Sequence, residues 1–437
     1  MKPMPMSLAN QRITVMGLGR FGGGEGLVRW LLSEGAHVLV ADLADEATLQ
    51  PALDRIESAT GGRPTVHTGP HDTRDFTDTD LVIVNPAVPQ PWSNTFLEAA
   101  RGSGVSCTTA MRLLLERLPQ RRRIIGVTGT VGKSTTASML HHVLGAAGLD
   151  ARLGGNIGGS LLPELHTITP ETWVVLEISS AQLHWLDEGH DDWPGWSPHI
   201  ALTTNIAANH LDWHGDETAY RAAKAVIRQF QQEGDVSIDS ASCNDAGTIE
   251  LRLPGTHNQA NARLALAGAV TATGKPFDDL AATLRTFGGL AHRLQPVDGL
   301  GSDRSPRIWN DAKSSAPEAT MLALNSFGDR LNRIHLIVGG YDKGVSLDTI
   351  SKIAPSLAGL YCIGATGPEL ARMAREEGAC AFDCGTLDVA VDQAMDKLGD
   401  DGVLLLSPAC ASWDQFTDFR ARGEQFLKLI GAHLAAC

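Results

Sequence analysis

The residues with the clearest chemistry lie in the run IIGVTGTVGKSTT, residues 124–136. An apolar stretch leads into a glycine-rich turn, and the turn opens into a predicted helix that begins with Lys133 and Ser134. Glycines let backbone N–H groups approach phosphate oxygens, and a helix N-terminus adds partial positive charge. The lysine supplies a cation and the hydroxyl can bind Mg²⁺. The run therefore predicts a nucleotide-phosphate loop, although Val127 stands where the strict P-loop pattern has its first glycine, and Gly126 lies one residue earlier.

A second glycine-rich turn follows the first apolar stretch of the chain. Gly17, Gly19 and Gly22 match the pattern G-x-G-x-x-G, and Asp42 lies 20 residues beyond Gly22. In dinucleotide-binding folds such a turn approaches a pyrophosphate, and an acid at about that distance binds a ribose. Taken alone, the pattern favours a nicotinamide or flavin enzyme, but another anionic or nucleotide ligand would satisfy it equally well.

Glu177 is the best candidate for a metal-binding carboxylate. It ends an apolar stretch in the same segment as the phosphate loop, and ligands of parallel α/β sheets bind at the carboxyl ends of the strands. Phosphoryl transfer needs Mg²⁺ held by hydroxyl and carboxylate oxygens, which Ser134 and Glu177 would provide. His210 and Asp212 in the sequence NHLD could add a metal ligand and its partner, but a lone histidine is often structural.

Three successive segments alternate apolar strands with helical patterns, which is typical of parallel sheets covered on both faces. We therefore predict an α/β protein of three domains. The N-terminal one is Rossmann-like (1–120), the central one has a P-loop ATPase-type parallel sheet (121–294), and the C-terminal one is Rossmann-like (295–437).

Composition excludes several classes of protein. Of the 437 residues, 43% are hydrophobic and 20% charged, as in ordinary globular proteins, and the net charge of −14 argues against a nucleic-acid surface. No apolar run has the length of a membrane span, and the first residues lack the apolar core of an export signal. The seven cysteines show no metal-binding spacing, so we expect reduced thiols, a cytoplasmic location and no membrane or nucleic-acid partner.

Over nearly its whole length the chain resembles the Mur ligases, which add amino acids to the peptidoglycan precursor. The matching motifs are the ATP loop GVTGTVGKSTT, the substrate loop GGNIG (154–158), the metal-binding strand LEISSAQL (176–183), the histidine motif NHLD (209–212), YRAAK (220–224), the adenine-binding turn LPGTHNQAN (253–261), AHR (291–293) and NDAKSS (310–315).

The resemblance implies a role for each matching residue. The implied catalytic residues are Lys133, Glu177, His210 and Lys224. ATP would contact Gly129, Thr130, Gly132, Lys133, Ser134, Thr135, Asn258, Asn261, Arg293, Asp311 and Lys313. The UDP-linked substrate would contact Gly17, Gly19, Arg20, Phe21, Asp42, Asn85, Asn156, Ser179 and Gln182. Two Mg²⁺ ions would be held by Ser134, Glu177, His210 and a CO₂-derived carbamate on Lys224.

The C-terminal segment resembles that of the family member that adds glutamate. The matching stretches are SPACASWDQFTDF (407–419) and GGYDKG (339–344), and the signature DNPR of the diaminopimelate- or lysine-adding members is absent. By this resemblance Ser412 and the backbone of Phe419 hold one carboxylate of glutamate, and Lys343 and Ser315 hold the other. Two separate donor clusters are what a dicarboxylate requires.

The implied reaction is ATP-dependent and forms ADP. It joins glutamate to UDP-N-acetylmuramoyl-L-alanine through an acyl phosphate, on a monomeric enzyme of peptidoglycan precursor synthesis. The sequence leaves open whether D- or L-glutamate is used, because chirality depends on where donors lie and not on their type.

Some positions depart from the family pattern. Val131 and Asn209 stand where the family has a polar residue and an acid, and Ala181 and Trp413 differ in size from the residues expected. The loop NPAVP (85–89) is unusual, and the interval between Lys224 and His257 is short, so part of the central domain has been trimmed.

Other functions remain as alternatives. A Mur-family ligase for L-glutamate or another amino acid fits the same motifs, whereas a ligase like folylpolyglutamate synthase should lack the 120 residues before the ATP loop. An NAD-dependent oxidoreductase explains only the first segment, and a GTPase needs an Asn-Lys-x-Asp motif that the chain lacks. A binding protein that has lost catalysis would agree with the departures at Val131 and Asn209.

Overall fold

The computed structural model describes residues 7–19, 23–243, 248–302 and 305–436, and within them the chain forms three β-sheets with flanking helices. Contacts divide the chain into two units. The first comprises Met1–Ala246 and Ala260–Leu280, and the second comprises Gly247–Gln259 and Ala281–Cys437. The first unit contains two of the sheets and the second unit contains the third.

The first sheet is fully parallel, in the order β3-β2-β1-β4-β5. Its strands are β1 (Arg12–Met16), β2 (His37–Asp42), β3 (Thr65–Thr68), β4 (Leu81–Val84) and β5 (Ser106–Thr108). Its helices are α1 (Gly23–Ser33), α2 (Glu46–Thr60), α3 (Arg74–Thr77), α4 (Thr95–Gly102) and α5 (Ala110–Arg117). Every residue of β4 is buried, as expected of a strand with a helix on each face.

The second sheet is also parallel, in the order β10-β9-β6-β8-β7, so β6 is its central strand. Its strands are β6 (Ile124–Thr128), β7 (Ala151–Gly155), β8 (Trp173–Glu177), β9 (Ile200–Thr203) and β10 (Val236–Asp239). The helices of this region are α6 (Lys133–Ala146), α7 (Ser180–Leu186), α8 (Leu211–His214), α9 (Glu217–Gln229), α10 (Thr256–Thr273) and α11 (Phe277–Thr283). The chain passes between the two units within α10 and α11.

The third sheet has the order β11-β12-β16-β13-β14-β15, and only the pair β11–β12 is antiparallel. Its strands are β11 (Gln295–Ser302), β12 (Ser305–Asn310), β13 (Ile334–Gly339), β14 (Gly359–Ile363), β15 (Ala381–Gly385) and β16 (Val403–Leu406). Its helices are α12 (Pro317–Asn325), α13 (Asp348–Ile353), α14 (Gly367–Glu376), α15 (Leu387–Asp396) and α16 (Phe419–Ala436).

Seven short 3₁₀ helices connect these elements within the described residues. They are Arg121–Arg123, Leu162–Thr167, His190–Asp192, Ser240–Cys243, Leu284–Thr286, Gly328–Arg333 and Ala354–Ser356.

The predicted α/β class is confirmed, since each sheet is wholly or mainly parallel and covered by helices. The domain boundaries at 120 and 294 stay predictions, because the two-unit division follows contacts and does not test them. Two strands were not predicted from the sequence: β10 lies in the polar stretch after α9, and β7 includes the first two residues of the predicted substrate loop. None of the helices in the described ranges combines the length and hydropathy needed for a bilayer crossing.

Candidate active site

The phosphate loop joins β6 to α6 through backbone conformations that only glycine adopts easily. Gly129 and Gly132 have φ angles of 144° and 88°. A Cβ atom on Gly129 would lie 1.9 Å from Thr204 Oγ1, and one on Gly132 would lie 2.3 Å from Asn261 Oδ1. The predicted ATP residue Asn261 is therefore directly beside the predicted loop.

Asn205, which follows β9, holds the phosphate loop through hydrogen bonds. The backbone N–H of Thr130 donates to Asn205 O at 2.7 Å. Asn205 also pairs with the peptide groups of Val131, accepting from Val131 N at 3.2 Å and donating to Val131 O at 2.9 Å. The Val131 side chain is 49% exposed, so the loop is held through its backbone. Sequence reasoning missed Asn205; the available signal was an amide side chain directly after a strand of the same sheet.

The first turn of α6 contains the half-buried Lys133 followed by buried hydroxyl side chains. Lys133 Nζ donates to Thr130 O at 2.9 Å, so the cation lies over the loop. Ser134 and Thr135 are 7% and 8% exposed. These residues occupy the arrangement expected for binding of β- and γ-phosphates at a helix N-terminus.

Glu177 ends β8 beside the phosphate loop, in register with Val127 of β6. It is 1% exposed, and its Oε1 accepts a hydrogen bond from Asn156 Nδ2 at 3.0 Å. Its other oxygen, Oε2, is buried and has no hydrogen-bond partner within the described residues. A buried carboxylate oxygen without a partner is costly unless a cation satisfies it, so this residue fits the predicted Mg²⁺. No preformed cluster of three or more metal-binding side chains occurs among the described residues.

Lys224 lies on α9, directly behind the loop, and is 2% exposed. Its Nζ donates to Gly129 O at 2.8 Å and to Thr128 Oγ1 at 3.1 Å. Burial, followed by the Lys133 cation, lowers the pKa of Lys224 to about 7, and Glu177 opposes this shift. A lysine with this pKa is largely neutral at slightly alkaline pH, which is the form that can react as a nucleophile.

His210 is exposed and has a left-handed backbone conformation, with φ of 52°. Burial, followed by the Lys133 cation, lowers its pKa. The Asn209 side chain accepts from His210 N at 2.8 Å, so this departure from the family pattern caps the turn. In the part of the chain that the structure describes, no hydrogen bond joins the His210 ring to Asp212. Asp212 therefore does not orient this ring through a hydrogen bond.

Two predicted nucleotide-sugar residues, Asp42 at the end of β2 and Asn85 after β4, make hydrogen bonds to the turn that follows β1. The Asp42 carboxylate accepts from the backbone N–H groups of Leu18 (2.8 Å) and Ala44 (2.9 Å). Asn85 donates to Gly17 O at 3.1 Å, and a Cβ atom on Gly19 would lie 2.9 Å from Asn85 Nδ2. The turn between β1 and α1 is thus built by these side chains.

The remaining residues predicted to contact the UDP-linked substrate are Ser179, Gln182 and Asn156, which the structure describes, and Arg20 and Phe21, which it does not. Ser179 and Gln182 form a capping box at the start of α7, with Gln182 Oε1 accepting from Ser179 N at 2.9 Å. Asn156 bonds to Glu177, as described above. Arg20 and Phe21, together with Gly22, lie outside the described residues. Their predicted contacts with the UDP-linked substrate stay predictions.

In the second unit, Asp311 follows β12 and is 5% exposed. Burial raises its pKa to about 6, although it accepts hydrogen bonds from Ser407 Oγ (2.8 Å) and Leu294 N (3.0 Å). Lys313 Nζ lies 5.6 Å from the centre of the Phe419 ring. Arg293 is half-buried, and Asn258 donates to Pro254 O at 2.7 Å. The predicted contacts of these residues with ATP are not tested by the geometry of this unit.

Two of the predicted glutamate residues, Lys343 and Ser412, follow the neighbouring strands β13 and β16, whereas Ser315 follows β12 and Phe419 begins α16. Lys343 Nζ donates to Ser315 O at 3.4 Å, so this predicted pair is close together. Ser412 is 3% exposed, and its carbonyl accepts from Phe416 N at 2.8 Å. Sequence reasoning missed Arg422, which is 1% exposed and donates to Cys410 O and Ala312 O, both at 3.0 Å.

Comparison with known proteins assigns the chain to a family. Residues 11–109 match the domain described as Mur ligase MurD-like, N-terminal, and residues 127–244 match the Mur ligase middle domain. The chain belongs to the Mur ligase family. It is 34% identical to the UDP-N-acetylmuramoylalanine–D-glutamate ligase of Roseiflexus sp. (strain RS-1), covering 97% of this chain and 99% of that protein. It is 30% identical to the protein of the same name from Staphylococcus aureus, with 98% of each chain covered.

Solved structures agree in fold. The UDP-N-acetylmuramate–alanine ligase MurC from Thermotoga maritima has a TM-score of 0.60 at 17% identity, covering 97% of this chain and 100% of that one. The MurF ligase from Thermotoga maritima, solved in complex with ADP, has a TM-score of 0.54 at 13% identity, covering 99% and 100%. At these identities the likeness extends to the fold alone.

Proposed function

We propose that the protein is an ATP-dependent, ADP-forming ligase that joins D-glutamate to UDP-N-acetylmuramoyl-L-alanine in peptidoglycan precursor synthesis. The observation that carries the proposal is the sequence identity of 30 to 34%, over 97 to 98% of this chain, to proteins named UDP-N-acetylmuramoylalanine–D-glutamate ligase. The candidate site supports it, because a phosphate loop, a buried carboxylate and a buried lysine lie together in one unit. As proposed, the protein acts as a monomer in the cytoplasm.

The reaction requires activation of a carboxylate, since its oxygen is a poor leaving group at neutral pH. ATP supplies the γ-phosphoryl group, which forms a bond to a carboxylate oxygen of the alanyl group as the bond to ADP breaks. Lys133 and the N–H groups at the start of α6 neutralise the β- and γ-phosphates, with Gly129, Thr130, Gly132 and Thr135 shaping the loop. The amine of glutamate then attacks the acyl carbon, and inorganic phosphate leaves.

Mg²⁺ is the cofactor that these residues would hold, at two sites. Ser134 and Glu177 are proposed ligands of the first, which the unsatisfied Glu177 Oε2 supports. His210 and a carbamate on Lys224 are proposed for the second. When bound, Mg²⁺ would reduce the repulsion between the γ-phosphate and the attacking carboxylate.

The carbamate would form when the neutral amine of Lys224 attacks the carbon of CO₂. A bond from Nζ to carbon forms, the electron pair of one C–O π bond of CO₂ moves to oxygen, and one proton leaves, so the neutral amine becomes an anion. The lowered pKa of Lys224 supports the proposal, because only the neutral amine reacts. The unmodified ammonium would instead repel a nearby metal ion.

The remaining predicted residues are proposed to bind the three substrates. The UDP-linked substrate would contact Gly17, Gly19, Arg20, Phe21, Asp42, Asn85, Asn156, Ser179 and Gln182. Asn258, Asn261, Arg293, Asp311 and Lys313 would complete the ATP site, and Ser315, Lys343, Ser412 and Phe419 would hold glutamate. Bringing three substrates together with water excluded is the main catalytic device.

Phosphate release from ATP tests the proposal. The full chain is supplied with Mg²⁺, UDP-N-acetylmuramoyl-L-alanine and each of D-glutamate, L-glutamate, L-lysine and diaminopimelate. We expect release to require the nucleotide-sugar and to be stimulated by D-glutamate. Stimulation by L-glutamate alone would identify the L-specific alternative, and no stimulation by any amino acid would refute the ligase. Oxygen-18 in the alanyl carboxylate should appear in the released phosphate, as an acyl phosphate requires.

A further inference from the structure

Two large aromatic side chains are exposed next to each other in the second unit. Tyr341 follows β13 and is 43% exposed, and Trp413 follows β16 and is 55% exposed. Their ring centroids lie 5.5 Å apart at an angle of 54°. Because β13 and β16 are neighbouring parallel strands, both residues lie at the edge of the sheet where the proposed glutamate residues lie.

The ammonium of Lys343 lies over one ring of this pair, that of Trp413. Its Nζ is 5.1 Å from the centroid of the Trp413 ring, within the range of a cation–π interaction. Its other contact is with Ser315 O at 3.4 Å. Within the described residues no carboxylate lies at salt-bridge distance from Lys343. Both partners of the cation are therefore neutral, which leaves its charge available to an anion.

The backbone beneath the indole is fixed on both sides. Tyr341 N donates to Ala411 O at 2.9 Å, which joins the two loops. Asp414 Oδ2 accepts from Ala365 N at 2.9 Å. The Arg422 guanidinium supports the same segment from below through the carbonyl groups at 410 and 411. The backbone that carries the indole is thus held by hydrogen bonds, and Lys343 lies on the neighbouring loop, residues 340–347, which also contains Gly344 with φ of 70°.

We propose that Trp413 is a positioning residue for recognition of the amino-acid substrate: its indole face holds the Lys343 ammonium where that cation meets the side-chain carboxylate of glutamate. The inference rests on the proposed function and deepens it. A smaller apolar side chain at position 413 would leave the flexible lysine stem unrestrained, and more conformational freedom would be lost when glutamate binds.

The test compares Trp413→Leu, Trp413→Phe, Lys343→Met and the double variant Trp413→Leu/Lys343→Met in the full chain. For Trp413→Leu we expect KM for glutamate to rise about fivefold, with kcat and KM for ATP changed less than about twofold. Trp413→Phe keeps an aromatic face and should recover part of the loss. Because the indole acts through the lysine, adding Trp413→Leu to Lys343→Met should leave KM for glutamate unchanged.

Phe382→Leu is the matched control. Lys397 Nζ lies 5.1 Å from the Phe382 ring, so this variant removes a contact of the same kind elsewhere in the same sheet. We expect it to leave KM for glutamate unchanged. Thermal unfolding of every variant shows whether the fold is retained.

The outcomes separate the inference from the proposed function. If the wild-type protein responds to glutamate but Trp413→Leu raises KM equally with and without Lys343, Trp413 does not act through the lysine and the inference is wrong. A fall in kcat with unchanged KM would also overturn it. If the wild-type protein shows no response to glutamate at all, the proposed function fails, and the inference fails with it.

Discussion

The buried Lys224 gives a quantitative prediction for the pH dependence of stability. The perturbation is Lys224→Met, which keeps the length of the side chain and removes its charge. In the folded protein the pKa of Lys224 is about 7, compared with 10.5 for an ordinary lysine. Between these values the unfolded chain binds a proton that the folded chain does not, so wild-type stability rises with pH. The variant lacks this contribution at every pH.

The magnitude follows from the size of the shift. From pH 7 to about pH 9 the folded lysine becomes neutral while the unfolded one stays charged, which stabilises the wild type by about 2 kcal/mol relative to the variant. No discount for solvent screening is needed, because Lys224 is 2% exposed. The hydrogen bonds to Gly129 O and Thr128 Oγ1 are also lost in the variant, and comparing two pH values separates the charge effect from their constant contribution.

The assay is urea unfolding of both proteins at the two pH values, in buffer depleted of CO₂ so that the amine stays unmodified. Lys352→Met, at an exposed position on α13, is the control and should show no such pH-dependent difference. If the difference in unfolding free energy between the wild type and Lys224→Met is the same at both pH values, the lowered pKa is refuted and the carbamate loses its main support. Repeating the experiment with bicarbonate should change only the wild-type protein.

Three further predictions concern the loop, the metal and acid stability. Glu177→Gln should raise the Mg²⁺ concentration needed for half-maximal phosphate release about tenfold or more, and Glu164→Gln, at an exposed position, should not; equal Mg²⁺ requirements would contradict a ligand role. Asn205→Ala removes two hydrogen bonds to the peptide groups of Val131, so ADP should bind roughly 5 to 30 times more weakly by calorimetry. Val131→Ala should change the affinity less than about twofold, and similar losses in both variants would mean that the Val131 side chain matters. Burial, followed by the nearby His190 and His214, lowers the pKa of His184 to about 3. The corresponding stabilisation is present above pH 6.5 and is lost as the pH falls, so His184→Gln should reduce the loss of stability between pH 7 and pH 5 by about 1 kcal/mol after allowance for partial exposure. The exposed His37→Gln is the control, and equal losses in all three proteins would count against the lowered pKa.

Much of the phosphate site could be predicted because its chemistry is local in sequence. The loop glycines, Lys133 and Ser134 all lie within residues 126–134. Glu177 is found by following a later apolar strand of the same segment to its carboxyl end. The proximity of Asn261 to the loop was expected from the family resemblance alone. The hydrogen bonds from Asn205 could not be predicted, since they depend on which backbone groups of two distant segments face each other.

The sequence also could not show which polar side chains are buried and support a site through their hydrogen bonds. Arg422 lies on the amphipathic helix α16, where an arginine is ordinarily read as a solvent-exposed charge. Instead it is buried against the carbonyl groups of Cys410 and Ala411, and burial lowers its pKa to about 10. Similarly, Asp42 and Asn85 match substrate-binding positions, but in the structure they also hold the turn after β1. The residue type was informative, whereas the partner was set by tertiary structure.

The interval between Lys224 and His257 is short, but its shortening is compatible with an intact phosphate site because the strand in this interval lies at the edge of the second sheet. The described part of this interval forms β10, which pairs only with β9 at the edge of the sheet. The phosphate loop follows β6, and Glu177 ends β8, on the other side of β9. An edge strand of four residues, with Asp239 paired to Arg228, exposes little unpaired backbone and so needs no covering hairpin. Shortening at that edge removes none of the proposed ligands, because Ser134 is in α6, Glu177 ends β8, His210 precedes α8 and Lys224 is in α9.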